Sequence, residues 1–184
     1  MENKKIKKYF GLADYLEEEQ FLQEQHKNGW KMVELKLPFS TYTFERCEPE
    51  EYIYQLDFKQ QENDLGEYLQ LFEDCGWEYF YKYGNWYYFR KLKSEIEEEN
   101  TIFSDAPSRA EMARKVVKFQ GMIALVALFP LSYLIPVLLN RNEGKNYVLL
   151  VLLGLIIGIT VILLGVHLRN FWKLTEILKN EEQI

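Results

Sequence analysis

The stretch DLGEYLQLFEDCGWEYFYKYGNWYYFRKL, from Asp64 to Leu92, carries a helix signal, a stop and a hairpin signal in succession. Leu65, Tyr68, Leu69 and Phe72 recur at i, i+3, i+4 and i+7, which places them on one face of a helix. Asp64 and Glu67 have the spacing of a capping box. Gly76 suits the left-handed residue that ends a helix, with Trp77 free to fold back on the last turn. Trp77 to Tyr83 and Trp86 to Leu92 then read as two strands joined at Gly84-Asn85, a favoured hairpin pair. Upstream, Tyr52, Tyr54, Leu56 and Phe58 alternate with Ile53, Gln55 and Asp57, the period of a strand with an aromatic face.

The same order occurs once more toward the amino terminus. Phe21-Leu22-Gln23 followed by Gly29-Trp30 matches Tyr68-Leu69-Gln70 followed by Gly76-Trp77 at an offset of 47, and Thr41 to Arg46 matches Trp86 to Lys91 at an offset of 45. A fixed period is the mark of a repeated structural unit. The first copy reads as a strand near Ile6 to Phe10, a helix from Asp14 to Asn28 opened by Asp14 and Glu17, and strands Trp30 to Leu37 and Thr41 to Cys47. Pro38-Phe39-Ser40 forms the turn between those strands, where Pro38 fits better than in a strand interior. The expected fold class is therefore an α+β soluble domain of duplicated strand-helix-strand-strand modules, about 4–47 and 50–92, sharing one mostly antiparallel sheet within residues 1–93. An acidic linker, 94–107, follows.

Beyond it, 119–139 carries no charge and 147–168 only His167, each about long enough to cross a hydrocarbon core as a helix. The expectation is a two-helix transmembrane hairpin turning at 140–146, led by a juxtamembrane helix from Ser108 and followed by a tail, 169–184. Pro130 and Pro136 interrupt the first span. Gly154, Gly158 and Gly165 give the second a small-residue face suited to helix packing and to a homo-oligomer, though such spacing is common in membrane spans. No ionisable group lies at mid-depth, which weighs against a pore or proton path.

Charge divides unevenly: through residue 105 there are 13 Lys+Arg against 23 Asp+Glu, and after it 9 against 5. Such an acidic domain is a poor partner for nucleic acid. Basic residues flank both apolar stretches, so the positive-inside bias puts both termini in the cytoplasm of a multi-pass membrane protein in contact with lipid. Met1 to Lys8 is basic and leads into no apolar signal region, again consistent with a cytoplasmic domain. Cys47 and Cys75 are expected as free thiols. No metal site is expected, since His26 is the single histidine before the apolar stretches, and near a helix end it reads as a surface residue.

Residues 1–92 hold 22 aromatic side chains. The commoner use of such rings is core filling. The alternative is an aromatic-walled cleft between the modules for a planar or cationic ligand, with Trp30, Trp77, Trp86, Tyr54 and Tyr79 as candidate walls and Glu34 and Asp57 as candidate charges.

Lys8-Tyr9-Phe10, the two Gly-Trp turns, Tyr87-Tyr88-Phe89-Arg90 and Ile102-Phe103-Ser104-Asp105, in that order over roughly 4–118, resemble a bacterial membrane-anchored family catalogued as a domain of unknown function. Members are often encoded beside PadR-type transcriptional regulators. The resemblance implies no catalytic residues. By topology alone, the duplicated module is also similar to ligand-binding domains of multidrug-responsive regulators and to haem-associated SOUL proteins. The lack of a histidine suited to axial ligation argues against haem, and no cofactor is expected. With no Ser/His/Asp set, phosphate-binding glycine loop or metal cluster, the chain reads as a non-enzymatic binding or sensor module with a protein partner or a small aromatic ligand. An accessory subunit or small pore, and an unrecognised enzyme, are the alternatives.

Overall fold

The computed structural model describes residues 2–36, 38, 40–60, 63–95, 111–123, 125–126, 132 and 147–181. In chain order the elements are β1 (Asn3–Lys7), α1 (Tyr15–Lys27), β2 (Trp30–Lys36), β3 (Thr41–Arg46), β4 (Tyr52–Phe58), α2 (Leu65–Asp74), β5 (Glu78–Tyr83) and β6 (Trp86–Leu92). A 3-10 turn at Lys93–Glu95 follows, then α3, helical at 111–123 and 125–126, and α4 (Tyr147–Glu181). The chain divides into two compact units, 1–112 and 113–183.

In the first unit both helices end on a glycine with positive φ, +81° at Gly29 and +77° at Gly76. A Cβ would be strained at either, and at Gly76 it would stand 3.2 Å from the Lys91 ammonium nitrogen. That buried lysine donates to the Cys75 carbonyl at 2.8 Å and so satisfies a carbonyl at the end of α2. The helix starts differ from the capping-box expectation. Asp14 and Asp64 are the N-caps, but neither side chain caps its helix. Asp14 Oδ2 instead accepts the Gly11 amide at 2.8 Å, which shapes the loop before α1.

One shared sheet was the expectation, and two antiparallel three-stranded sheets are found, ordered β1-β3-β2 and β4-β6-β5. Their edge strands β2 and β5 approach each other, joined by a side-chain bond from the Tyr81 hydroxyl to the Leu35 carbonyl at 3.0 Å. Each edge carries an irregularity at the equivalent place, Met32/Glu34 and Tyr79/Tyr81. Such bulges interrupt the ladder and twist an edge away from further pairing.

Each helix covers the Tyr-x-Phe face of its own sheet. Phe21 of α1 meets Tyr42 and Phe44. Phe72 of α2 stacks on Phe89 at 3.8 Å, with Tyr68 against Tyr87. The modules then diverge. Helix α1 also lies against the reverse face of the second sheet, where Tyr15 stacks on Trp86 and His26 meets Tyr54. Strand β6 therefore has rings buried on both faces: Trp86 and Tyr88 toward α1, Tyr87 and Phe89 toward α2.

Where a two-helix transmembrane hairpin was expected, the described residues of the second unit hold a single candidate span. Among the described residues one helix is long and apolar enough to cross a membrane, over Val151–Glu176. Helix α4 runs on to Glu181 instead of ending near Leu168, because 169–181 contains neither Gly nor Pro to stop it. Of the other expected span only 119–123, 125–126 and 132 are described, and they make no helix of spanning length. An uncharged run is necessary for a span but not sufficient, and Pro130 and Pro136 are each unfavourable inside a helix. The rest of 119–139, the turn at 140–146 and linker residues 96–107 lie outside the described residues. A Cβ at Gly154, Gly158 or Gly165 would meet no described atom within 4 Å.

Candidate functional site

On the buried side of α1, Tyr15, Glu18, Glu19, Leu22 and His26 fall at i, i+3, i+4, i+7 and i+11, a single helical stripe. Three of these five are polar, and each is less than a tenth exposed: Glu18 7%, Glu19 7% and His26 3%. A buried polar group needs a partner, and all three find theirs on other elements.

Glu19 Oε1 accepts the Leu56 amide at 2.8 Å. Leu56 sits on β4, an edge strand whose outward amides have no ladder partner. His26 Nδ1 shares a 2.8 Å hydrogen bond with the Tyr54 hydroxyl, and its ring stacks on Tyr52 at 4.2 Å and 5°. Burial, followed by the positive charges of Arg90 and Lys31, lowers the His26 pKa to about 4, so the imidazole is neutral near pH 7. Burial pushes Tyr54 up to about 12. Arg90 binds Glu78 through two bonds, 2.7 and 2.6 Å, directly across the β5-β6 ladder. The expectation of a surface histidine is thus overturned: covering by the second sheet outweighs proximity to the helix end.

Glu18 ties the sheets together. Its Oε1 accepts the Tyr42 hydroxyl from β3 at 2.7 Å and the Tyr88 hydroxyl from β6 at 2.8 Å. Burial raises the Glu18 pKa above the usual carboxylate range, opposed by the two donated hydrogen bonds. Both phenols are pushed far above their ordinary value, by burial first and the carboxylate second, and remain donors.

The same carboxylate lines a partly open cavity of about 220 Å³. Phe10, Tyr15, Tyr83 and Trp86 give it aromatic walls, Gly11 and Leu12 belong to the loop fixed by Asp14, and Tyr42 and Tyr88 flank Glu18. At the rim stand Tyr9, 77% exposed, and Ser40, whose φ of +43° is unusual for a non-glycine residue. Strained backbone of this kind is concentrated at ligand sites.

The expected site residues are dispersed. Trp86 lines the cavity, and Tyr54 belongs to the neighbouring histidine cluster. Trp77, Tyr79 and Asp57 lie on the α2 side, Trp77 against Phe72, Tyr87 and Phe89, Tyr79 against Tyr87 and Phe89, and Asp57 accepting the Tyr68 hydroxyl at 2.6 Å. In the first sheet Trp30 is flanked by Lys4 and Arg46, and Glu34 pairs with exposed Lys36. Reading the run Glu17-Glu18-Glu19 as a solvated face would miss the site. The signal present was helical spacing, since Glu18 stands three residues after Tyr15 and four before Leu22. Among the described residues no group of His, Cys, Asp and Glu has the arrangement to hold a metal. Cys47 and Cys75 are free thiols, and burial raises the Cys47 pKa.

The family described as "Protein of unknown function (DUF2812)" matches residues 14–125, which include Glu18, Tyr42, Trp86 and Tyr88. No curated protein and no solved structure matches this chain.

Proposed function

Since the chain belongs to the DUF2812 family, whose description assigns no activity, we propose from its geometry that it is a non-enzymatic, membrane-anchored sensor that binds a small planar ligand in the cavity beside α1. The observation that carries this reading is the cavity itself: aromatic walls, and polar groups that converge at one end on a single carboxylate. Ligand sites are mostly apolar with a few placed polar groups. Helix α4 supplies the anchor in the bacterial cell membrane, and the acidic domain with its free thiols faces the cytoplasm. Occupancy is passed to a protein partner, for which a PadR-type regulator encoded nearby is the first choice.

The test is a thermal-shift screen of the full chain in mild detergent against planar metabolites and aromatic amines. A true ligand at a hundredfold excess over its Kd should add about 2.7 kcal/mol of stability and quench tryptophan fluorescence. Trp86→Leu should weaken that binding, whereas Trp30→Leu should not. If no compound shifts the midpoint, the domain is better read as a protein-interaction module. Affinity purification from native membranes would identify the partner in either case.

A further inference from the structure

The chemistry around Glu18 says more about the ligand than its size and flatness. The described lining holds no lysine, arginine or histidine, and apart from tyrosine phenols its one ionisable group is the Glu18 carboxyl. Both phenolic donors converge on Oε1, and among the described residues Oε2 receives no hydrogen bond. A carboxylate has about four acceptor positions, and a buried charge is stable only when paired. The face of Trp86 is the negative end of a ring quadrupole, which favours a cation and disfavours an anion, and the Phe10 ring of the same lining already carries the Lys8 ammonium 5.0 Å from its centroid. At about 220 Å³ the space falls short of the roughly 300 Å³ where drug-sized sites begin, so it suits a one- or two-ring compound.

Resting on the sensor reading above, we infer that the cavity selects small monocationic arylalkylamines, with the ammonium N–H donated to Glu18 Oε2 and the ring against Trp86. Glu18 is then the specificity residue, and Tyr42 and Tyr88 hold its carboxylate toward the ligand. Because those tyrosines come from different sheets, a cation that draws charge away from Oε1 also loosens the tie between them, which gives the bound state a structural consequence.

Three probes that differ in one group decide the matter: 2-phenylethylammonium, 2-phenylethanol and phenylacetate, titrated calorimetrically into the full chain in detergent micelles at pH 7. The cation should bind at least about tenfold more tightly than the alcohol, the margin of a charge-assisted hydrogen bond, and phenylacetate should bind weakest. In Glu18→Gln the advantage of the cation over the alcohol should disappear while alcohol binding persists. Equal affinity for cation and alcohol, or preference for the anion, overturns the cation inference and leaves the cavity as a binding site. Binding of none of the three overturns the cation inference as well, and the sensor reading then stands or falls on the wider thermal-shift screen. If Glu18→Gln does not fold, the wild-type ranking still decides between these outcomes.

Discussion

The two modules share one local code and use it differently. Each ends its helix at a Gly-Trp pair and covers its own Tyr-x-Phe face, yet α1 is buried on two sides and α2 on one. At equivalent positions α1 has Glu18, Glu19 and His26 where α2 has Leu65, Gly66 and Glu73. On the central strands, Thr41 and Thr43 of β3 correspond to Trp86 and Tyr88 of β6. Helix α1 packs on that second face of β6, and the substituted residues build the cavity and its carboxylate. What the copies share specifies the module; what they do not share specifies the site.

Paired substitutions at equivalent positions test this asymmetry. The largest effect is expected at Phe72, fully buried and stacked on Phe89: Phe72→Ala should cost about 3–5 kcal/mol in denaturant unfolding. Its counterpart Gln25 bonds Lys4 at the margin of the domain, and Gln25→Ala should stay within about 0.5 kcal/mol. Comparable losses at the two positions would remove the claim that the helices play different parts.

Next comes Glu19→Ala, which strands the Leu56 amide in a buried setting and should cost about 1–3 kcal/mol. The equivalent Gly66 is exposed and has open space around a built Cβ. Gly66→Ala should stabilise by about 0.4–1 kcal/mol, so one helical position changes sign between the copies.

A smaller effect is expected with pH, because two groups of α1 oppose each other. His26 has a folded pKa near 4 against 6.5 unfolded, so the unfolded chain takes up the proton first and stability falls as pH drops below 6.5. Glu18 is raised above 4.5, so its contribution is full below 4.5 and lost as pH rises through its folded pKa. Thermal midpoints between pH 6.5 and 4.5 should fall less steeply on acidification in His26→Gln than in wild type, and more steeply in Glu18→Gln. An unchanged slope in His26→Gln would mean that the histidine takes up its proton as readily in the folded as in the unfolded chain.

Local features were legible in the sequence because their causes are local. Period-two alternation in Tyr52–Phe58, the helical stripe from Leu65 to Phe72 and the glycine stops depend on neighbours a few residues away. The pairing of strands into two sheets instead of one was not legible, since bulges at Met32/Glu34 and Tyr79/Tyr81 leave no mark in residue type. The burial of Glu18 left a mark within α1, its place on one stripe between Tyr15 and Leu22, but the sheet that covers the stripe left none there, and His26 near the helix end looks like a surface residue. Setting one copy against the other, Thr43 against Tyr88 and Leu65 against Glu18, supplies the missing signal. The membrane region erred the other way, because counting uncharged residues gave 119–139 the same weight as 147–168.

The crossing of α1 onto the second sheet also orders events in time. Tyr88 follows Glu18 by 70 residues, so a ribosome moving at roughly 5–20 residues per second delivers the second tyrosine roughly 4–14 s after the carboxylate it must meet. For the last 41 of those residues, from 47 to 88 and roughly 2–8 s, the first module is complete in sequence but open on one side, with Tyr15, Leu22 and His26 facing water. Its helix waits for a surface not yet made, so the nascent chain closes late and as one unit, and the finished first module is the stage at which a chaperone would find most to hold.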